Sequence, residues 1–387
     1  MADFPHENLE GAMGRAGRRR DTKTLELAGL DDEQSCQACR EPRALSCCCT
    51  GGPAKSLEAN AGPPSRSLRL SWYSPQRQAV NSTIAKPPAL RPGDTVGVVA
   101  PAAAVDRSHL ERGVGVIASM GYRVKVSRHA LDRAGILAGR DRDRAAELAA
   151  FFADPGVKAI FAARGGYGCG RLLPLMDFAV LARTPKIFLG FSDETFLLNA
   201  LVDKSALGCF HGPMVAMDFA GGLSPRSLDH VAHLLSGQTR KFELEAPEVI
   251  RPGMAEGELI GGCLSVVVAM LGTPWEPRFD GRILFLEDTG EKAYRIDRML
   301  VQLRQAGVFE RVAGVVFGAI RAIDGNEQET QMIARFAAEQ TSGLGCPVLW
   351  GVEAGHGTEN FTIPFGVVAR IDSDARRIVF TEPAVTR

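Results

Sequence analysis

No apolar stretch in this 387-residue chain is long enough to cross a bilayer. The longest, LIGGCLSVVVAMLG, falls short of the roughly 20 residues a span requires. It also carries glycines, and it reads as a buried core helix. No N-terminal stretch has the apolar core of a secretory signal, so the expected location is the cytoplasm. Formal net charge is zero, which gives bulk attraction to neither nucleic acid nor a membrane surface. No H-E-x-x-H pair supports a zinc protease. No internal repeat is evident. Of nine cysteines, five (Cys36, Cys39, Cys47, Cys48 and Cys49) lie in the first fifty residues and the others are scattered singly. Scattered cysteines fit a reducing compartment better than a disulfide framework. Cys36-x-x-Cys39 lacks a second well-spaced pair, and three adjacent cysteines cannot all face one tetrahedral ion, so no metal site is expected.

What is present divides into a tail and two folded regions. Residues 1–88 are rich in glycine, proline and basic residues without helical or strand period, and disorder is expected there. From LRPGDTVGVVAPAA onward, short apolar strands alternate with helices: VGVVA, the helix SHLERGVGVIASMGY, RVKVSR, the helix RDRDRAAELAAFFADP, VKAIFAA, a glycine loop with a helix, and KIFLGF. That alternation implies a parallel, Rossmann- or flavodoxin-like sheet over 89–240 with helices on both faces. Sites in such sheets lie at the carboxyl ends of the strands. Residues 241–258 are charged and contain Pro247 and Pro252, so they read as a linker or crossover. A smaller mixed α/β domain is expected over 259–387, ending in two strands around Ser373 and Asp374. The fold class is thus α/β with two domains.

Chemistry centres on three places. In KIFLGFSDETFLLNAL a lone serine, Ser192, stands between strand and helix. Taken by itself it reads first as a cap for the helix, with a nucleophile at the sheet edge as the alternative. The nucleophile pattern G-x-S-x-G is half present, with Gly190 in place and Glu194 where the second glycine would be. The loop ARGGYGCGRL has phosphate-loop spacing at Gly165 and Gly170, but Arg171 and Leu172 follow instead of lysine and a hydroxyl. A dinucleotide fingerprint from Gly166 fails at Arg171. Backbone N–H groups open to a phosphate or an oxyanion remain. A serine nucleophile needs a histidine base, and the histidine a carboxylate. Of the seven histidines, His230 and His233 read as solvated on a helix. His211 in CFHGPM and His356 in AGHGTEN sit in glycine-flanked loops, where each reads either as a hydrogen-bonded structural histidine or as the base. Glu287 and Asp288 follow the strand of RILFLEDTGE.

Taken together, APAAAVD, ARGGYGCGRLLPLMD, FLGFSDETFLLNAL, FHGPM, ELIGGCLSVV, FLEDTGEKAYRIDRML and GHGTENFTIPFG resemble the LD-carboxypeptidase family of serine peptidases. The match is colinear from about Leu90 to the C-terminus. It implies a triad of Ser192, Glu287 and His356, in that order along the chain. It implies an oxyanion hole from the backbone N–H groups of Asp193 and Gly166. Arg164, Tyr167, His211 and Arg295 become candidates for substrate binding, with Arg164 and Arg295 placed to take a free carboxylate. The implied reaction removes a terminal D-alanine from cytoplasmic muropeptide tetrapeptides, without metal or cofactor. The implied partners are a peptide ending in a D-residue and a second copy of the chain in a homodimer, with no nucleic acid or membrane. Serine from the first region and glutamate and histidine from the second would meet in a cleft, which hinge motion would assemble. Two rivals stand beside this reading: a hydrolase of peptidyl- or aminoacyl-nucleotides, as in microcin-immunity relatives, and a muropeptide sensor without catalysis.

Overall fold

Strands that are apolar on both faces need cover on both faces, and the first half of the computed structural model is built that way. It describes residues 83–387; the cysteine cluster and most of the expected tail lie outside the described residues. Residues 83–88, expected as the end of that tail, are pinned to the fold. Ala85 N–H donates to the Ala206 carbonyl, and Lys86 pairs with Glu382 at 2.5 Å.

The chain runs β1 (Thr95–Val99), α1 (Arg107–Ser119), β2 (Arg123–Val126), α2 (Asp141–Ala153) and β3 (Val157–Ala162). A short α3 (Phe178–Leu181), β4 (Ile187–Gly190), α4 (Thr195–Ser205), β5 (Cys209–His211) and α5 (Pro225–Leu235) follow. Asp106 starts α1 by accepting from the N–H groups of Ser108 and His109, which satisfies two of its free donors. The strands pair in parallel in the order β5-β4-β3-β1-β2. The helix expected after the glycine loop is absent. Cys169–Arg171 and Leu173–Leu175 form single 3₁₀ turns, because Pro174 has no N–H to continue an α-helical ladder.

The second sheet begins where a linker was expected. β6 (Phe242–Glu245), β7 (Glu248–Arg251) and the first half of β8 (Met254–Cys263) occupy 241–258. Pro247 and Pro252 lie in the turns between these strands, and the charged residues of β6 are on its solvent side. The apolar run LIGGCLSVVVAMLG is likewise no single helix. It closes β8, paired with β9 (Ile283–Glu291), and then opens α6 (Leu264–Met270). α7 (Ala293–Gln305), β10 (Gly314–Ala322), α8 (Glu327–Gln340), β11 (Val348–Gly355), β12 (Ile363–Phe365), β13 (Val368–Asp372) and β14 (Arg377–Phe380) complete the chain. The eight-stranded sheet has the order β6-β14-β13-β8-β9-β10-β11-β7, with a parallel centre of β8 to β11. β12 leaves it and pairs antiparallel with β5, as the edge strand of the first sheet.

Residues 83–387 belong to one compact unit. Buried polar bonds stitch its sheets together. Asn199 on α4 donates to the carbonyls of Thr195 and Gly261 and accepts from Gly261 N–H, while Thr195 Oγ1 accepts from Cys263 N–H at 3.0 Å. His230, expected to be solvated, packs between Phe242 and Phe361 and accepts from Thr362 N–H. Burial lowers its pKa to about 4, so it stays neutral. No helix among the described residues is long and apolar enough to cross a membrane.

Replacing Asn199 by leucine keeps the volume but leaves the Gly261 N–H and carbonyl buried without partners. Each such group costs about 1–3 kcal/mol. Urea unfolding of Asn199→Leu is expected to show a lower midpoint with an unchanged m-value; an unchanged midpoint would remove this bridge from the account of stability.

Candidate active site

Ser192 follows β4 by one residue, and its backbone is left-handed, with φ of 63°. A non-glycine residue there is strained by about 1–2 kcal/mol. Its side chain makes no capping bond; the 3₁₀ turn Ser192–Glu194 begins without one, and α4 starts only at Thr195. The capping alternative is therefore not realised. Instead the sharp turn lifts the hydroxyl to the carboxyl edge of the sheet. The glycine loop after β3 lies directly against it. A Cβ on Gly165 would stand 2.8 Å from Ser192 Cβ and 3.0 Å from its Oγ. The Asp193 carboxylate pins this loop by accepting from Cys169 N–H at 2.7 Å. Burial raises the pKa of Asp193. The backbone N–H groups of Asp193 and Gly166 have no acceptor among the described residues.

From the second sheet comes a buried ion pair. Glu287 on β9 has no exposed surface. Its Oε2 accepts from His356 Nδ1 at 2.6 Å and from His356 N–H at 3.1 Å, and its Oε1 lies 3.4 Å from His211 Nε2. Burial alone would raise its pKa; the charge of His356 and the hydrogen bonds of His211 and His356 outweigh burial and hold it at about 2. For His356 burial works downward, but the Glu287 charge and hydrogen bond prevail and its pKa is raised. With Nδ1–H committed to Glu287, the neutral ring keeps Nε2 as a free acceptor. Its ring packs on Phe191 with centroids 4.6 Å apart. Asp288 turns away from this pair and accepts from the N–H groups of Ser265, at the start of α6, and Thr289. Burial and the neighbouring Glu287 raise its pKa to about 6.

Ser192, His356, Gly166 and Arg164 line one cavity of about 580 Å³, with Glu287 directly behind His356. No hydrogen bond joins Ser192 Oγ to His356 among the described residues; such contacts tighten in substrate complexes. The other expected binding residues lie elsewhere. His211 is completely buried, so it cannot touch a substrate as expected. Tyr167 is half exposed and Arg295 is tied to Glu291 and the Tyr294 hydroxyl, and neither is in the cavity wall. Asp218 and Asn360 are also in the wall, beyond the residues that the sequence motifs point to. Asn360 Nδ2 donates to Asp218 Oδ1 at 3.3 Å, and Asn360 Oδ1 accepts from Gly355 N–H at 3.1 Å, next to His356. Asn360 lay inside GHGTEN, and Asp218 is the single acid in the apolar run MVAMDFA; those were the available signals.

Residues 96–212 match the family model of the LD-carboxypeptidase N-terminal domain, and residues 256–371 that of the LD-carboxypeptidase C-terminal domain. A Bacillus subtilis protein named probable murein peptide carboxypeptidase is 36% identical over 300 residues, spanning 76% of this chain and 93% of its own. The crystal structure of muramoyltetrapeptide carboxypeptidase from Oxalobacter formigenes has a TM-score of 0.67 at 33% identity, covering 74% of this chain and 97% of its own. An MccF-like protein from Bacillus anthracis has a TM-score of 0.69 at 27% identity, covering 76% of this chain and 99% of its own.

The Glu287–His356 geometry depends on Gly355. Its φ is 96°, and a Cβ there would stand 2.4 Å from Glu287 Oε2. Gly355→Ala is expected to lower stability by about 2 kcal/mol or more in chemical unfolding. Gly345→Ala, where a Cβ meets nothing within 4 Å, serves as the near-neutral control. Equal effects of the two substitutions would contradict the close approach.

Proposed function

The chain belongs to the LD-carboxypeptidase family, and from that premise we propose that it is a serine-type LD-carboxypeptidase using Ser192, His356 and Glu287. The observation that carries this reading is the convergence on one cavity of a strained serine and a histidine bonded to a buried carboxylate. Ser192 Oγ attacks the carbonyl of the bond between an L-centre and a terminal D-residue. His356 Nε2 takes the hydroxyl proton and returns it to the leaving amine. Glu287 holds the tautomer and stabilises the imidazolium. The unpartnered N–H groups of Asp193 and Gly166 hold the oxyanion, a contribution of about 10²–10³ in rate per donor. Water then hydrolyses the acyl-enzyme, with His356 acting again as base.

The substrate proposed is a muropeptide tetrapeptide that loses D-alanine during cytoplasmic peptidoglycan recycling. Apart from His356, Arg164 is the one cationic side chain of the described residues in the cavity wall, and it is the candidate for the free carboxylate. Its Nη1 donates to the Ala104 carbonyl at 3.3 Å, which steadies the guanidinium beside the glycine loop. The nucleotide reading calls for an aromatic plate for the base. Trp275 packs on Phe178 and Trp350 on Phe317, and neither lines the cavity; Trp72 lies outside the described residues.

Ser192→Ala is expected to reduce D-alanine release from defined tetrapeptides by a thousandfold or more, on the order seen for serine nucleophiles, and to abolish acyl-enzyme trapping. Persisting release would refute the nucleophile. Faster turnover of an aminoacyl-sulfamoyl adenylate than of tetrapeptide would favour the nucleotide rival, and peptide binding without release the sensor.

The pH profile follows from the raised pKa of His356. The base must be neutral, so kcat/KM is expected to fall on the acid side with an apparent pKa above the ordinary histidine value of about 6.5. An acid limb below that value would contradict the coupling to Glu287.

A further inference from the structure

We propose that His211 is a positioning residue that orients Glu287 for its work on His356. The inference rests on the reading of Glu287 and His356 as a catalytic pair. His211 ends β5 in the first sheet, whereas Glu287 stands on β9 in the second. The contact of its Nε2 with Glu287 Oε1 therefore crosses between the sheets at the back of the site. At 3.4 Å it is a long hydrogen bond, but it is the one side-chain partner that Oε1 has among the described residues. The two bonds from residue 356 both go to Oε2.

The surroundings determine which proton His211 carries. Its ring is walled by Phe191, Phe285 and Phe365, with centroids 5.5, 5.2 and 5.7 Å away. Nδ1 is buried and has no partner among the described residues. The carboxylate can only accept, so the proton of the shared bond sits on Nε2 and is directed at Oε1. The three rings hold it in that orientation, so the donor is preset. Without it, Oε1 would be a buried charged acceptor facing phenylalanine rings, and the carboxylate would be free to rotate and share Oε2 differently.

The consequence is electrical as well as steric. The other titratable groups around the pair are Asp288 and the Cys263 thiol, beside Glu287, and Asp218, on the side of His356. None of these is a cation, so His211 supplies the opposing hydrogen-bond donor on the inner side. Removing it destabilises the state with neutral His356 and uncompensated Glu287 more than the ion-paired state. The proton on His356 is then released at higher pH.

The test compares His211→Phe, which keeps a ring but loses the donor, with His211→Gln, whose amide places an N–H near the Nε2 position. For His211→Phe, kcat is expected to fall about tenfold or more, in the range of losses seen when an orienting partner is removed, with KM little changed. The acid limb of kcat/KM should move to higher pH. His211→Gln should recover most of kcat and return the limb toward the parent value. In a Glu287→Gln background, His211→Phe should add little further loss. If His211→Phe does not fold, the Gln variant carries the test through the same pH profile. An acid limb unmoved in His211→Phe, or a Gln variant no better than Phe, overturns the proposal, since loss of packing alone predicts both. A second readout needs no substrate: the downfield proton NMR signal of His356 Nδ1–H should shift in His211→Phe and return in His211→Gln. If the parent enzyme releases no D-alanine, the functional reading fails. The NMR comparison still decides whether His211 controls the Glu287–His356 bond, and an unshifted signal overturns that control.

Discussion

The rest of the site depends on one buried carboxylate. Glu287 is ionised with no exposed surface, a state that burial opposes strongly. It is tolerated because three donors converge on it: two from residue 356 and one from His211. The donors arrive by two backbone devices. The parallel centre of the second sheet places β9 and β11 on either side of β10, with Glu287 midway along β9 and Gly355 at the end of β11. Gly355 lets the chain pass close enough for the next N–H and imidazole to reach Oε2. β5 delivers the third donor from the first sheet. The raised pKa of His356 is the return effect of the same contact, so proton affinity at the cavity is set by burial two residues deep.

Ser192 shows the complementary use of strain. The left-handed turn at its α-carbon is unfavourable for an L-residue, yet it is held by ties on either side. Asp193 anchors the glycine loop, and Thr195 and Asn199 anchor α4 to β8. Between them Glu194 is entirely buried, and neither carboxyl oxygen has a partner among the described residues. Burial and the nearby Asp193 raise its pKa well above the carboxylate range, which favours its neutral acid form beneath Ser192. Its methylene atoms lie 3.0 to 3.3 Å from where a Gly190 Cβ would be. Glu194 thus fills the space beneath the turn, and the position reads as a break in a glycine pattern only when the turn itself is not seen.

Much of this was legible because period and punctuation survive in the sequence. The alternation of apolar runs and helices located β1 to β4, and the ends of those strands marked where Ser192 and the glycine loop would stand. Colinear motifs brought Glu287 and His356 to the same short account. What was not legible depended on tertiary partners. The strands of 241–258 looked like a linker because their prolines and charges belong to turns and to a solvent face, which local composition does not separate from a linker. His211 was expected to bind substrate and His230 to be solvated, but aromatic neighbours from distant segments leave the first fully buried and the second neutral. Asp218 had no periodic signal, since its place is set by a π-helical turn, Val215–Phe219, and by Asn360 from the far end of the chain.

The same tertiary ties bear on how the site works. A serine on one sheet and a histidine and glutamate on another suggested assembly by hinge motion. The buried bonds point to a different physical picture. Asn199 and Thr195 hold α4 to β8, His211 spans the sheets at Glu287, and β12 is a strand of the first sheet although its neighbours in sequence belong to the second. A rigid-body hinge would have to break these bonds together, leaving several buried polar groups unpaired at about 1–3 kcal/mol each. Motion on that scale is therefore costly, whereas rotation of the Ser192 hydroxyl and adjustment of the half-buried His356 ring break none of them. The two sheets act as one frame, and closing the remaining gap between Ser192 and His356 falls to side chains moving within the cavity.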